Sequence, residues 1–423
     1  MLRPHIIILG CGFGGLFAAR QLAGAQVDIT MIDRSNHHLF QPLLYQVATA
    51  GLSAPAISAP IRHILAQQKN LTCLMATVTD IDTARKVVKL DDASELAYDY
   101  LIVATGSTHS YFGNDDWAEF APGLKTLEDA FTIRSKILMA FEDAERQSDP
   151  VKQAALLTFA IVGAGPTGVE MAGTLIEIAH HTLKGEFRRI DPHQARVVLL
   201  EGSDRVLSVY PDDLSAKARL QLERLGVEVR TGSKVTGIDA EGVNYSDAQG
   251  EQRLATATVI WSAGVAASPL GRALGAEVDR AGRVVVQQDL SIADHPEVFV
   301  IGDLASVQSD GQPVPGVSPA AKQMGVLAAK NIQALINHRP TGLFRYHDMG
   351  SLATIGRKAA VVMIGRLKFS GYPAWLFWLL VHIYFLIGFR NRLTVMTDWA
   401  WAYLTFKRNA RIVTGRERRS SRE

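Results

Sequence analysis

Short apolar runs that stop at glycine clusters set the pattern of this chain. His5-Ile-Ile-Ile-Leu9 shows no polar alternation, so it predicts a strand buried on both faces of a parallel sheet. It ends in Gly10-Cys11-Gly12-Phe13-Gly14-Gly15. Helical spacing of Leu16, Phe17, Ala18, Ala19 and Leu22 follows, then a second apolar strand, Val27 to Ile32, closed by Asp33. Strand, glycine turn, helix, strand and acid together predict a nucleotide-binding unit. The glycines let the backbone turn tightly and approach a pyrophosphate at the positive end of the helix, and the acid accepts from ribose hydroxyls.

The pattern then recurs. Phe159-Ala-Ile-Val162 leads into Gly163-Ala-Gly165-Pro-Thr-Gly168, Val169 and Glu170 open a helix, and the strand Arg196–Leu200 ends at Glu201. The 38 residues from Gly163 to Glu201 exceed the usual spacing of about twenty. A longer helix and a loop through His180–Gln194 take up the excess. An acid at this point accepts from both adenosine ribose hydroxyls and repels a 2′-phosphate, which points to NADH rather than NADPH. Three further strands stop at glycine: Tyr98 to Thr105-Gly106, Val259 to Gly264, and Val298 to Gly302-Asp303. The expected fold is α/β, with two Rossmann-like dinucleotide-binding domains, the second inserted in the first. The first domain is expected over 1–150 and 276–340, the second over 151–275, and a C-terminal region over 341–423.

Composition narrows the chemistry. With 423 residues, 48% apolar and 20% charged, the chain is an ordinary globular protein of more than one domain. A net charge of +2 argues against a strongly basic nucleic-acid binder, and no nucleic acid partner is expected. The charge is uneven, because from Lys407 onward there are seven basic residues and two acidic ones. Such a tail suggests an anionic surface as partner, or simply a solvated segment. Cys11 and Cys73 are the only cysteines, so there is no disulfide framework, CxxC motif or thiolate metal site. Redox chemistry here must run on a bound cofactor, and flavoenzymes that need a redox cysteine beside the flavin are excluded. The chain enters its first strand without a cleavable apolar leader, so no export signal is expected. His37-His38 and His180-His181 are neighbours that face different ways; loop and surface roles are expected for them, and no metal.

The C-terminal region carries an 18-residue run without charge, Tyr372 to Phe389. As one helix it would span about 27 Å, marginal against a bilayer core of about 30 Å. A second helix over Leu393–Phe406 groups Thr394, Thr397, Asp398 and Thr405 on one side, with Val395, Met396, Trp399, Tyr403 and Phe406 opposite. Trp401 falls on the polar side. Four of the six tryptophans lie between 375 and 401, as in interfacial belts. A buried core helix, a spanning helix and an interfacial anchor are the three readings, and the amphipathic second helix with the basic tail favours the anchor.

Phe40-Gln-Pro-Leu-Leu-Tyr-Gln-Val-Ala-Thr49, Gly163–Glu170, Glu201–Leu207, Trp261–Val265, Val298–Ala305 and the aromatic C-terminal segment together resemble the type II NADH dehydrogenases, the non-proton-pumping NADH:quinone oxidoreductases, nearly end to end. The resemblance implies a non-covalent FAD held by Gly10, Cys11, Gly12, Phe13, Gly14, Gly15 and Asp33, with Val78, Thr105, Gly106 and Asp303. It implies NADH held by Gly163, Gly165, Gly168, Glu201 and Gly264. Glu170 matches a carboxylate near the flavin that helps quinone protonation, although a first-turn acid also suits the helix macrodipole. Gln323, in Ser318-Pro-Ala-Ala-Lys-Gln-Met-Gly325, matches the second glutamine of a quinone motif, with helix-surface polarity as its alternative. Ser318-Pro319 stands where many members have Ala-Gln. The expected partners are NADH, a membrane quinone, an anionic lipid surface and a second copy of the chain as a homodimer, at the cytoplasmic face of a bacterial inner membrane. A flavoprotein reductase of a small redox protein, and a non-catalytic NADH-sensing membrane-binding protein, are the alternatives.

Overall fold

A computed structural model describes residues 3–405, 407–408 and 410–413. The chain forms two compact units, each assembled from three separated segments. The first takes 1–39, 58–108 and 265–349; the second takes 40–57, 109–264 and 350–423. Both are α/β.

The first unit is built on a six-stranded sheet in the order Ser291–Ile292, His295–Val300, Tyr100–Val103, His5–Leu9, Asp28–Asp33, Leu71–Met75. All neighbours run parallel except the outermost pair, Ser291–Ile292 with His295–Val300. Ile6 to Leu9 are completely buried, as the unbroken apolar run predicted. The helix Phe13–Gln21 leaves this central strand through the glycine turn. Behind it lies the helix Ser318–Ile336, and the two approach so closely that a Cβ on Gly325 would collide with the Gly14 carbonyl oxygen.

The second unit repeats the arrangement with four parallel strands in the order Val227–Arg230, Arg196–Leu200, Thr158–Val162, Thr258–Trp261. Every residue of Thr158–Val162 is buried. The helix Pro166–Glu177 follows the second glycine turn and continues as a short π-helical turn, Ile178–Thr182, before the loop to Arg196. Helix extension and loop together account for the long spacing to Glu201. An antiparallel sheet of Ser351–Gly356, Ala359–Ile364 and Leu367–Ser370 completes this unit, with Gly173 set directly against the Ile355 carbonyl.

These units do not follow the domain limits segment for segment. The helix Leu127–Arg146 falls in the second unit, where Phe141 packs at a tilt on Phe159, ring centres 5.3 Å apart. Phe40–Ile57 falls there too, for reasons given below.

The C-terminal run is broken. Its helix covers Tyr372–Phe385, then Leu386 is extended and Gly388 has φ +89°, and a second helix covers Phe389–Thr405. Fourteen residues reach only about 21 Å. Among the described residues no helix is long and apolar enough to cross a membrane. The second helix follows its spacing only in part. Val395 and Trp399 are buried, Tyr403 is half-buried, and the outward residues include Leu393, Met396, Trp401 and Leu404. Trp401, set apart by the helical-wheel pattern, thus belongs to an exposed face that is itself largely apolar.

Candidate nucleotide-binding and quinone sites

Gly10 has φ +92°, a left-handed conformation that favours glycine. A Cβ on Gly15 would collide with the Gly10 carbonyl oxygen, so the helix can start this close to the strand only without a side chain there. Gly12 caps the helix with extended backbone, and nothing lies within 4 Å of where its Cβ would be. An open, donor-rich helix N-terminus results. Asp33 closes the turn: its carboxylate accepts from the Cys11 amide at 2.6 Å and from the Ser35 amide at 2.7 Å. Each carboxylate oxygen keeps a further lone pair for a ribose hydroxyl.

Around this turn the first unit gathers most of the expected FAD residues. A Cβ on Gly10 would collide with the Ala104 carbonyl oxygen, which puts the Thr105-Gly106 turn beside the glycine turn. Thr105 Oγ1 is buried without a hydrogen-bond partner, and Gly106, at φ +68°, has open space above its Cα. Asp303 accepts from Ser107 Oγ at 2.9 Å. Val78 opens the strand Val78–Asp82, half-buried. An unsatisfied hydroxyl, an open cradle at two glycines and two placed carboxylates fit FAD. Cys11 is 1% exposed, and burial pushes its thiol far above the usual range, so it is an inert filler of the turn.

His38 corrects the expectation of a loop or surface role. It lies in the short strand His37–Leu39, 2% exposed, with its ring edge-on to Phe13 at 5.3 Å. Nδ1 donates to the Cys11 carbonyl at 2.7 Å, because a carbonyl can only accept, and burial lowers the imidazole pKa to about 4. Nε2 is then a buried acceptor with no partner. Strand alternation was the available signal: of two adjacent histidines one must point inward. Lys322 sits over Phe13 and Phe17 at 5.0 and 5.3 Å, and burial lowers its pKa to about 8.

The second unit repeats the turn. Gly163 has φ +97°, Gly165 caps the helix in open space, and a Cβ on Gly168 would strike the Gly163 carbonyl oxygen. Glu201 accepts from the Ala164 amide at 2.6 Å and from the Ser203 amide and hydroxyl, both at 2.8 Å. Gly264 sits beyond Ser262, whose hydroxyl donates to the Val162 and Gly163 carbonyls at 2.8 Å. Glu170, on the helix behind the turn, is 8% exposed. Its pKa is raised well above the carboxylate range by burial, opposed by the Thr354 amide at 3.5 Å. The site is not a solvated first-turn position.

Gln323 is placed in the other unit, and its amide is engaged at both ends. Nε2 donates to the His347 carbonyl and Oε1 accepts from the His347 amide, both at 2.9 Å. Its first visible task is to hold the chain near residue 347.

The segment Phe40–Thr49 lies against the C-terminal helices in the second unit. Gln46 donates to the Tyr45 hydroxyl at 2.9 Å and accepts from the Trp399 indole at 2.7 Å, and Phe40 meets His382 edge-on at 6.3 Å. The basic tail is partly neutralised. Arg408 turns inward to Glu177 (3.4 Å) and the Thr49 carbonyl (3.0 Å), and Arg411 grips Glu186 with two nitrogens. Residues 414–423, which carry four of the seven basic residues of that tail, lie outside the described residues; so does Phe406.

The chain matches the pyridine nucleotide-disulphide oxidoreductase family over residues 4–325 and the NDH2 C-terminal domain over 348–409. It is 47% identical to the type II NADH:quinone oxidoreductase Ndh of Mycobacterium tuberculosis, covering 98% of this chain and 91% of that protein. It is 45% identical to NdhA of the same organism, covering 97% and 90%. Its fold matches the structure of NDH2 from Plasmodium falciparum in complex with NADH, with a TM-score of 0.89 at 20% identity over 98% of this chain and all of that one. The chain therefore belongs to the pyridine nucleotide-disulphide oxidoreductase family and, within it, to the type II NADH:quinone oxidoreductases.

Proposed function

We propose that this chain catalyses the FAD-dependent oxidation of NADH with two-electron reduction of a membrane quinone, without pumping protons. The observation that carries the reading is the duplicated glycine turn, once in each unit, each closed by its own carboxylate. One turn suits a resident cofactor and the other an exchanging substrate. FAD, when bound, supplies the acceptor for the nicotinamide hydride and the donor of two electrons to the quinone.

The chain's own residues bind, orient and hold protons. Gly10, Gly12 and Gly15 open the first helix N-terminus to the FAD pyrophosphate, Asp33 takes the adenosine ribose, and Thr105, Gly106 and Asp303 line the flavin side. Gly163, Gly165 and Gly168 do the same for NADH, with Glu201 on its ribose and Gly264 toward its nicotinamide half. Quinol formation takes up one proton besides the hydride, and Glu170 keeps its proton to higher pH than an ordinary glutamate. Gln323 serves the quinone side through the segment it holds.

The same proposal includes peripheral attachment to the cytoplasmic face of a bacterial inner membrane, on an anionic lipid surface, as a homodimer. Support comes from outward apolar residues on the two C-terminal helices, among them Leu380, Tyr384, Phe389 and Leu404. Scattered exposed leucines are ordinary, but a run of them on adjacent helices is not. Steady-state assays with a water-soluble quinone test the catalytic reading. One NADH should disappear per quinone reduced, with NADPH a poor substitute; oxidation of NADH that does not depend on quinone would refute it.

A further inference from the structure

Tyr111–Asn114 forms a tight turn closed by the Asn114 amide donating to the Tyr111 carbonyl at 3.1 Å. Its central residues, Phe112 and Gly113, have φ +54° and +89°. Positive φ at both positions marks the type I′ form, for which Asn-Gly is the favoured pair. Phenylalanine has no local reason to be there, since a bulky side chain in the left-handed region is strained. Burial does not compensate, because the residue is 67% exposed. A residue that breaks a local rule for so little burial in return is where function is to be sought.

The surroundings show what the ring is for. It lies against Gly264, where an added Cβ would sit 2.8 Å from Phe112 Cζ and 2.7 Å from the Ser110 carbonyl oxygen. Its base is fixed. The Trp261 indole donates to that same Ser110 carbonyl at 2.9 Å, stacks on Tyr111 at 5.1 Å and meets Phe112 at 6.2 Å. Direction follows from the sheet order, in which Arg196–Leu200 lies on one side of Thr158–Val162 and Thr258–Trp261 on the other. A dinucleotide with its pyrophosphate at the Pro166–Glu177 helix and its adenosine ribose on Glu201 commits the adenine half to the Arg196–Leu200 side. The remaining half must run over Ser262–Gly264, onto the Phe112 ring.

We infer that Phe112 is the platform against which the nicotinamide half of the dinucleotide is placed, a nucleotide-positioning residue outside both glycine motifs. The inference rests on the reading that the second unit binds NADH. The test compares NAD⁺ with ADP-ribose, which lacks only the nicotinamide ring, by calorimetry on the full-length, FAD-loaded protein. Phe112→Ala should raise the NAD⁺ Kd by about 3- to 10-fold, the range of an aromatic stacking contact, and leave ADP-ribose unchanged. Phe112→Asn suits the turn, so it should raise Tm while showing the same selective loss; Phe112→Trp should bind NAD⁺ as the parent does. Unchanged NAD⁺ binding in the Ala and Asn variants, or equal losses for both ligands, would overturn the role of Phe112. Failure of the parent protein to bind either ligand would instead overturn the NADH reading itself.

Discussion

At the first turn Gly10 has φ +92° and at the second Gly163 has φ +97°. In both, the fifth residue after that glycine, Gly15 or Gly168, lies so close to its carbonyl oxygen that a Cβ would not fit, and the amide of the turn's second residue donates at 2.6 Å to the carboxylate at the end of the next strand. The two turns share these contacts; the helices behind them differ. Phe13–Gln21 lies on another helix through two glycines, Gly14 and Gly325, and offers a small, apolar inner face. Pro166–Glu177 lies on a strand through Gly173 and Ile355 and carries Glu170 into the interior beside Thr354. The turn provides phosphate binding in both units. What each helix faces decides what else the unit contributes: a closed apolar seat in the first, a protonatable group in the second.

The largest predicted effect separates the two turns. Gly15→Ala should give a nearly colourless protein, since a methyl group there must displace backbone rather than a flexible side chain. Gly168→Ala, with the same collision, should remain yellow and lose affinity for NADH. The flavin-to-protein absorbance ratio of each purified variant checks this, and equal flavin loss in both would erase the assignment of one nucleotide to each turn.

Next in size is the acid of the second turn. Glu201→Gln should lower the NADH-over-NADPH ratio of kcat/KM by about tenfold, equivalent to removing about 1.4 kcal/mol of repulsion toward a 2′-phosphate. An unchanged ratio would place the ribose elsewhere.

Glu170 sharpens the contrast between the helices through pH. Its folded-state pKa is raised by burial from an ordinary value of 4.5. In the unfolded chain it ionises as the pH passes that value, so its contribution to stability is complete below it and is lost as pH rises toward the folded pKa. Glu170→Gln should therefore match the parent Tm near about pH 4 and exceed it increasingly toward about pH 8. It should also slow recolouring by quinone more than bleaching by NADH. A Tm difference independent of pH would contradict the raised pKa.

The smallest effect is expected at Gln323. Its two bonds to His347 are exposed ones, each worth about 0.5–1.5 kcal/mol. Gln323→Ala should lower stability by about 1–2 kcal/mol in denaturant unfolding and leave bleaching by NADH near the parent rate. A stable variant with selectively slowed quinone reduction would give Gln323 a direct contact instead.

Both turns and both strand-end acids were legible in the sequence because they obey local rules. An unbroken apolar run, glycine spacing and an acid at a strand end each have one cheap structural solution. What was not legible depends on partners far along the chain. Nothing near Arg408 indicates that Glu177 will receive it, so the tail read as free charge. His38 looked like half of a loop pair until the Cys11 carbonyl was beside it. The 18-residue aromatic run read as one helix because no charge interrupts it, yet Leu386 and Gly388 end it through backbone conformation alone. A single aromatic in a turn, such as Phe112, carries no sequence pattern.

The division of labour between the two turns is tested most directly by anaerobic mixing of the purified protein and its Gly168→Ala variant with NADH, then with a water-soluble quinone, while the visible flavin absorbance is followed. The parent should bleach with one equivalent of NADH and recover its colour with one equivalent of quinone. The variant should stay yellow with NADH at that concentration, bleach with a chemical reductant and then recover fully with quinone. A variant that bleaches with NADH as fast as the parent would contradict the account, and so would a parent protein whose colour NADH leaves unchanged.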